Sequence, residues 1–345
     1  MSMPPKIATP SDPADTLHRL LSRRRKDWTA VAAVLATFRE NQLPAIPILA
    51  RVLVLAAASG QTGIVLTLLA RGIDPDATDT TGDTALMAAT RSNQIATLEV
   101  LLAAHATPDR PDRSGWTALT HAVLHGARAA MDCLLDHGAD PTVPDVGGLT
   151  PLSLAAMYDV SATTVLTGLL DTGRFDGAAL AAALDSATAI GCATGVRTLL
   201  AAGADPNHAQ EKSSPLMLTS GDLEIVRMLL AHGADPNQTD AEGRSALSSG
   251  IRYSRPTPDT IRTLIEGGAD PAHRDHAGRT ALHRFAESGR EDLVAALDET
   301  LARPQGAAAR RRLLHRLSPA RRQDWLPRCC AIEVASSAPA WNHRP

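Results

Sequence analysis

Asp79, Asp112 and Asp145 stand 33 residues apart, and each opens the same phrase. The copies read "DTTGDTALMAATRSNQIATLEVLLAAHATPDRP", "DRSGWTALTHAVLHGARAAMDCLLDHGADPTVP" and "DVGGLTPLSLAAMYDVSATTVLTGLLDTG". A phrase that returns at this interval describes a unit too small to bury its own apolar face, so the core must come from stacking one copy on the next. Related copies begin near Arg51, Ser213, Asp240 and Asp275, and a degenerate one occupies the region of 178–210. About eight units then cover roughly residues 46–303.

Each part of the phrase has a physical role. The glycines at 82, 115, 148, 243 and 278 suit a turn that needs positive φ. Thr84, Thr117, Thr150 and Thr280 are placed to cap the first helix through the hydroxyl. Pro151 and Pro215 fall in a first turn, where a missing N–H costs nothing. Small residues such as Ala88, Ala122 and Ala155 let the first helices lie close, while pairs such as Leu199-Leu200 and Leu229-Leu230 form the apolar layer of the second helices. "HGADP" and "AGADP" stop those helices, with His137 and His232 beside the terminating glycine.

On these residues the chain resembles the ankyrin-repeat family. The resemblance implies an all-α solenoid of helix-turn-helix units joined by β-turn fingers, with helical flanks at both ends. It also implies protein recognition through a concave face made by the fingers and the first helices.

Composition agrees with helix-on-helix packing, since aromatic residues are only 3% of the chain and the apolar share is rich in Ala and Leu. No apolar run has the length of a membrane span, and the first residues lack a secretory pattern. Cys133, Cys192, Cys329 and Cys330 form no CxxC pair, which points to a reducing, cytoplasmic setting. Arginine outnumbers lysine 31 to 3, a bias that with the alanine richness suggests a GC-rich, bacterial coding sequence.

Charge divides the chain into three parts. Residues 1–43 hold 7 Lys+Arg against 4 Asp+Glu, residues 44–303 hold 19 against 31, and residues 304–345 hold 8 against 2. The expected organisation is a basic N-terminal segment with a capping helix over 1–45, the repeat domain over 46–303, and an Arg-rich tail over 304–345. Val31, Val34, Leu35 and Phe38 give the capping helix its apolar side. The two ends share a phrase, Arg24-Arg25-Lys26-Asp27-Trp28 and Arg321-Arg322-Gln323-Asp324-Trp325.

Within the repeats, the resemblance puts the outward, variable positions at two, three, five, thirteen and fourteen, counting each Asp as one. The candidate partner-binding residues are therefore Arg113, Trp116, Leu124 and His125 in the Asp112 copy and Leu149, Met157 and Tyr158 in the Asp145 copy. Arg91, Arg244 and Tyr253 occupy such positions in other copies, with Asp83, Glu242, His276 and Arg279 as polar rim. Large apolar and aromatic groups gathered in this way resemble an interface core. The competing reading is that Trp116 and Leu149 merely pack on each other across adjacent turns.

Catalytic chemistry is not expected. "HAVLH" presents His121 and His125 at a metal-compatible spacing but lacks a third ligand and the glutamate of a metalloprotease motif. No phosphate-binding glycine loop or nucleophile elbow occurs, and the frequent aspartates recur with the repeat, as structural groups do. The sequence thus predicts a monomeric, non-enzymatic binding module with no cofactor, no metal and a protein partner. The alternatives are an adaptor or secreted effector whose basic ends engage a second component, and nucleic-acid association through the Arg-rich tail.

Overall fold

The computed structural model describes residues 13–23, 26–38, 46–158, 162–208, 213–219, 221–253 and 256–302. Among these residues the chain is helical, and isolated antiparallel bridges join Thr78 with Thr84 and Thr239 with Ser245. Two helices open it, α1 (Pro13–Leu21) and α2 (Trp28–Thr37). Eight helix pairs follow, from α3 (Ile46–Ala58) with α4 (Thr62–Ala70) to α17 (Ala281–Glu287) with α18 (Glu291–Ala302). Between them run α5 (Ala85–Arg91), α6 (Ile95–Ala103), α7 (Ala118–Leu124), α8 (Arg128–Asp136), α9 (Pro151–Met157) and α10 (Ala162–Asp171). The remaining pairs are α11 (Gly177–Ile190) with α12 (Ala193–Ala201), α13 (Pro215–Leu218) with α14 (Leu223–Ala231), and α15 (Ala246–Tyr253) with α16 (Pro258–Glu266).

The chain divides into two compact units. Unit 1 comprises Met1–Ala155 and Val160–Arg174, and unit 2 comprises Ala156–Asp159 and Phe175–Pro345. In unit 1, α3 packs on α5 and α5 on α7, while α4, α6 and α8 form a second row. Unit 2 repeats the scheme, with α11, α13, α15 and α17 in one row and α12, α14, α16 and α18 in the other. The first-helix row is close-packed because its inward residues are small, as with the buried Ala85, Ala88 and Ala89 of α5. The second row buries its leucines, among them Leu98 and Leu101 of α6 and Leu229 of α14, all at 0% exposure.

Local termination follows the expected chemistry. Thr84 accepts the N–H of Met87, and Thr117 and Thr120 form a reciprocal capping box. Gly138, Gly203, Gly233 and Gly268 all have positive φ at the ends of second helices. His137 and His232 each place Nδ1 at 2.8 Å from the carbonyl four residues back, satisfying a last-turn acceptor. Near the start, α2 buries Val31 and Leu35, and Asp27 accepts the Ala30 N–H at its first turn. Arg71 ties it to the first pair by donating to the Leu35 carbonyl at 2.6 Å.

Candidate recognition surface

In the fingers that open on Asp79, Asp112, Asp145, Asp240 and Asp275, the aspartate organises the turn. In the Asp112 turn, Oδ1 accepts the backbone N–H groups of Ser114 and Trp116; in the Asp145 turn it accepts those of Gly147 and Leu149; in the Asp240 turn, those of Glu242 and Arg244. The other carboxylate oxygen is left to take a side chain, and the partner differs from turn to turn. Asp112 Oδ2 meets His121 Nε2 at 3.1 Å, Asp145 Oδ2 accepts the Trp116 indole N–H at 3.2 Å, and Asp240 Oδ2 accepts Arg244 Nε at 2.6 Å. Asp275 Oδ2 takes the Arg284 guanidinium. The aspartates that recur with the repeat therefore hold turns and tether side chains.

Neighbouring fingers stack backbone to backbone. In unit 1 the Val146 N–H donates to the Ser114 carbonyl at 3.1 Å, and Gly115 leaves no space for a side chain, since an added Cβ would lie 2.7 Å from Val146 N. Unit 2 repeats the contact between His276 N–H and the Glu242 carbonyl. Arg113 bridges back to the preceding finger by donating to the Thr80 carbonyl at 3.0 Å and lies over Gly82.

On this frame Trp116 is neither free nor submerged. Its ring is half-buried, its N–H is held by Asp145, and its edge meets His121 with centroids 5.6 Å apart and planes at 81°. Leu124 and Leu149 are also half-buried, His125 is exposed, and Val146 at the finger tip is 80% exposed. The Trp116 indole thus reaches the neighbouring turn through Asp145 while remaining half-buried.

A polar line borders these residues in unit 1. Arg91 grips Asp83 through both terminal nitrogens, at 3.1 and 2.5 Å, and this pairing holds the Asp83 carboxyl below the usual carboxylate range. His121 is buried, and burial together with the nearby Arg91 lowers its pKa, so the imidazole is neutral with Nε2–H toward Asp112. Its Nδ1 is buried without a hydrogen-bond partner. Asp83, Asp112 and His121 bring ligand atoms within 4.8 Å of one another, a spacing that a metal ion could bridge. Arg91 already supplies the positive charge there, so the arrangement is an internally compensated network. His125 uses Nδ1 on the His121 carbonyl at 2.9 Å, which makes it a helix-terminating residue like His137.

Two expected outward residues are placed differently. Arg244 is buried at 6% exposure because its guanidinium folds back onto Asp240 and Glu242 of its own turn, where it braces the finger. Arg91 is half-buried for the same reason, its charge being spent on Asp83. In unit 2, Met157 is half-buried and Tyr158 is 55% exposed. Tyr253 ends α15, and its side chain lies outside the described residues, as do Arg24, Arg25 and the whole tail beyond Ala302. The polar group Glu242, Arg244, His276 and Arg279 does gather, with Arg284 and Asp275, around one cleft of about 270 Å³ in unit 2.

Sequence reading missed one residue. Asp185 lies on α11 with Oδ1 buried and without a hydrogen-bond partner, and burial raises its pKa to about 7. Counting back from Gly203, it occupies the place held by Thr120 and His283, which bond reciprocally to the start of their helices. Helix α11 begins at Gly177, a full eight residues earlier, so no free helix start lies within reach of the carboxyl. An acidic residue in an otherwise alanine and leucine stretch was the available signal.

The family model for ankyrin repeats, in a form of three copies, matches residues 53–145 and again 184–275. The chain belongs to the ankyrin-repeat family. The crystal structure of the human ASB11 ankyrin repeat domain superposes with a TM-score of 0.53 at 24% identity, covering 64% of this chain and 99% of that one, a likeness of fold. The ankyrin repeat domain of Bcl-3, described as a unique member of the IkappaB protein family, is 25% identical over 67% of this chain and 92% of its own, with a TM-score of 0.40. No curated protein matches the chain. Ankyrin repeats generally mediate protein-protein interaction and are typically non-enzymatic. No described helix of this ankyrin-repeat protein is long and apolar enough to cross a membrane.

Proposed function

We propose that this ankyrin-repeat protein is a non-catalytic binding module whose unit 1 recognises a protein partner through the fingers and first helices of the Asp112 and Asp145 copies. The observation that carries the reading is the Trp116 ring, pinned by Asp145 and His121 yet only half-buried. A large ring held in place loses little conformational freedom when it is covered, which is why such groups dominate interface energies. Val146, Leu149 and Leu124 supply the adjoining apolar area, while Arg113 and His125 form the edge. Tyr158 and Met157 offer unit 2 a contact surface of its own. The free Cys133 and Cys192 fit a reducing, cytoplasmic setting.

The test is a titration of the partner recovered by affinity purification against wild-type protein and Trp116→Ala. Affinity should fall by more than about 1 kcal/mol, near fivefold or more, with the helical spectrum retained. If Trp116→Ala binds as wild type does, the ring serves only to brace the Asp145 turn and the reading fails.

A further inference from the structure

Leu17 to Trp28 reads "LHRLLSRRRKDW", and Leu314 to Trp325 reads "LHRLSPARRQDW". Eight of the twelve positions agree without a gap, including one of the four tryptophans on each side. Six of those identities fall on described residues of the first copy, Leu17 to Leu20 with Asp27 and Trp28. Leu17 and Leu20 are buried, at 0% and 8% exposure, where α1 meets α2 and α3. Asp27 caps α2 at the Ala30 N–H, and Trp28 is the first residue of that helix. His18 and Arg19 are exposed, so packing does not require them, yet they recur as His315 and Arg316. Recurrence at solvent-facing positions marks a copied segment; a shared apolar pattern would repeat the leucines alone.

We propose that residues 314–325 are a second copy of the module that opens the array, and that they dock on the last described helix pair of unit 2, α17 and α18. A stacked array needs a cover at its ends, because a terminal unit has no neighbour for one of its faces. At the start of the array that cover is α1 and α2, of which α1 packs on α3. Leu314 and Leu317 take the parts of Leu17 and Leu20. Pro319 falls at Ser22, just beyond the last residue of α1, where a helix stop is compatible with the pattern. Two departures shorten the copy: Ser318 replaces the buried Leu21, and Pro327 lacks the N–H that Ala30 donates to Asp27.

Charge and reach agree with this placement. Glu287, Glu291, Asp292 and Glu299 on α17 and α18 are exposed, and the last turn of α18 carries no basic residue. Facing them would be Arg310 to Arg312, Arg316, Arg321 and Arg322. Eleven residues, 303–313, connect Ala302 to Leu314 and span up to roughly 36 Å when extended, about twice the length of a helix such as α18.

The experiment exchanges segments in the full-length chain and reads amide hydrogen exchange over residues 281–302. Replacing residues 314–325 by the sequence of 17–28 should preserve protection, whereas a Gly-Ser segment of equal length should speed exchange there by tenfold or more. Protection that is unchanged by the Gly-Ser segment overturns the proposal. So does a loss that the 17–28 sequence fails to prevent, or protection that depends on protein concentration, which would place the segment on a second copy of the chain. The double substitution Leu314→Asp with Leu317→Asp should reproduce the Gly-Ser result without altering chain length.

Discussion

At the scale of single residues, the repeat exposes what each side chain is for by showing what happens when it changes. Asn207 and Asn237 each accept the backbone N–H of the next loop, from Asp235 and Asp270, and donate Nδ2 to the carbonyls of Gly233 and Gly268. Asp109 holds the equivalent place in unit 1 and accepts the Asp140 N–H at 2.9 Å, but a carboxylate has no hydrogen to give the matching carbonyl of Gly138. Burial and the neighbouring Asp140 raise its pKa. Asp109→Asn should therefore stabilise unit 1 by about 1 kcal/mol, read as a higher denaturant midpoint at unchanged slope. Asp185 works in the opposite sense to a paired carboxylate. Its folded pKa of about 7 lies above the ordinary 3.8, so the folded chain holds more protons between those values and stability declines as pH rises through that window. Asp185→Asn should flatten that decline, measured as melting temperature at pH 5 against pH 8; an equal slope in both proteins would remove the carboxyl as its cause.

Elements are set by how closely backbones approach. Gly195 lies on α12, and a Cβ there would stand 2.0 Å from the Ala156 carbonyl oxygen. The contact is backbone on both sides, so no rotamer change can relieve it. Gly195→Ala should cost about 1–3 kcal/mol through forced displacement of α12, even though alanine is the better helix former. By contrast, Gly63→Ala, on α4 with open space around it, should be neutral or slightly stabilising, and chemical denaturation of the two variants separates the effects. Gly168 on α10 shows a third case: an added Cβ would meet the Arg128 guanidinium, which pairs with Asp132 at 2.8 Å and reaches the Thr164 carbonyl at 2.6 Å. There the missing side chain makes room for an arginine that fastens α8 to α10.

At the scale of the whole molecule, stacking makes the stability of each unit a sum of local terms, since within a unit each helix pair meets mainly its neighbours. Phe285 of α17 is fully buried, one of only three phenylalanines in the chain. Phe285→Ala should cost about 3–5 kcal/mol and strip protection first from α17 and α18, while α5 to α8 keep theirs in hydrogen exchange. Uniform loss along the chain would mean that the array unfolds as one cooperative block. The Arg-rich tail is tested at the same scale for nucleic-acid affinity: the full-length protein should match a chain ending at residue 303, and binding that vanishes with the tail and weakens steeply with salt would assign the arginines to phosphate.

The repeat unit, its capping threonines, its terminating glycines and the absence of long apolar spans could be read from the order of residues, because those features depend on backbone conformation within a few positions of each other. Which outward positions face solvent could not, because that depends on where a long side chain finds its charge. Arg244 turned inward to Asp240, Arg91 was spent on Asp83, and Trp116 found the carboxylate of the next turn 29 residues away. Asp185 was left without a partner by the early start of its own helix. Local order decides the fold here, since each unit repeats a short-range rule, whereas pairing between adjacent units decides the surface, since only stacking brings those groups within reach.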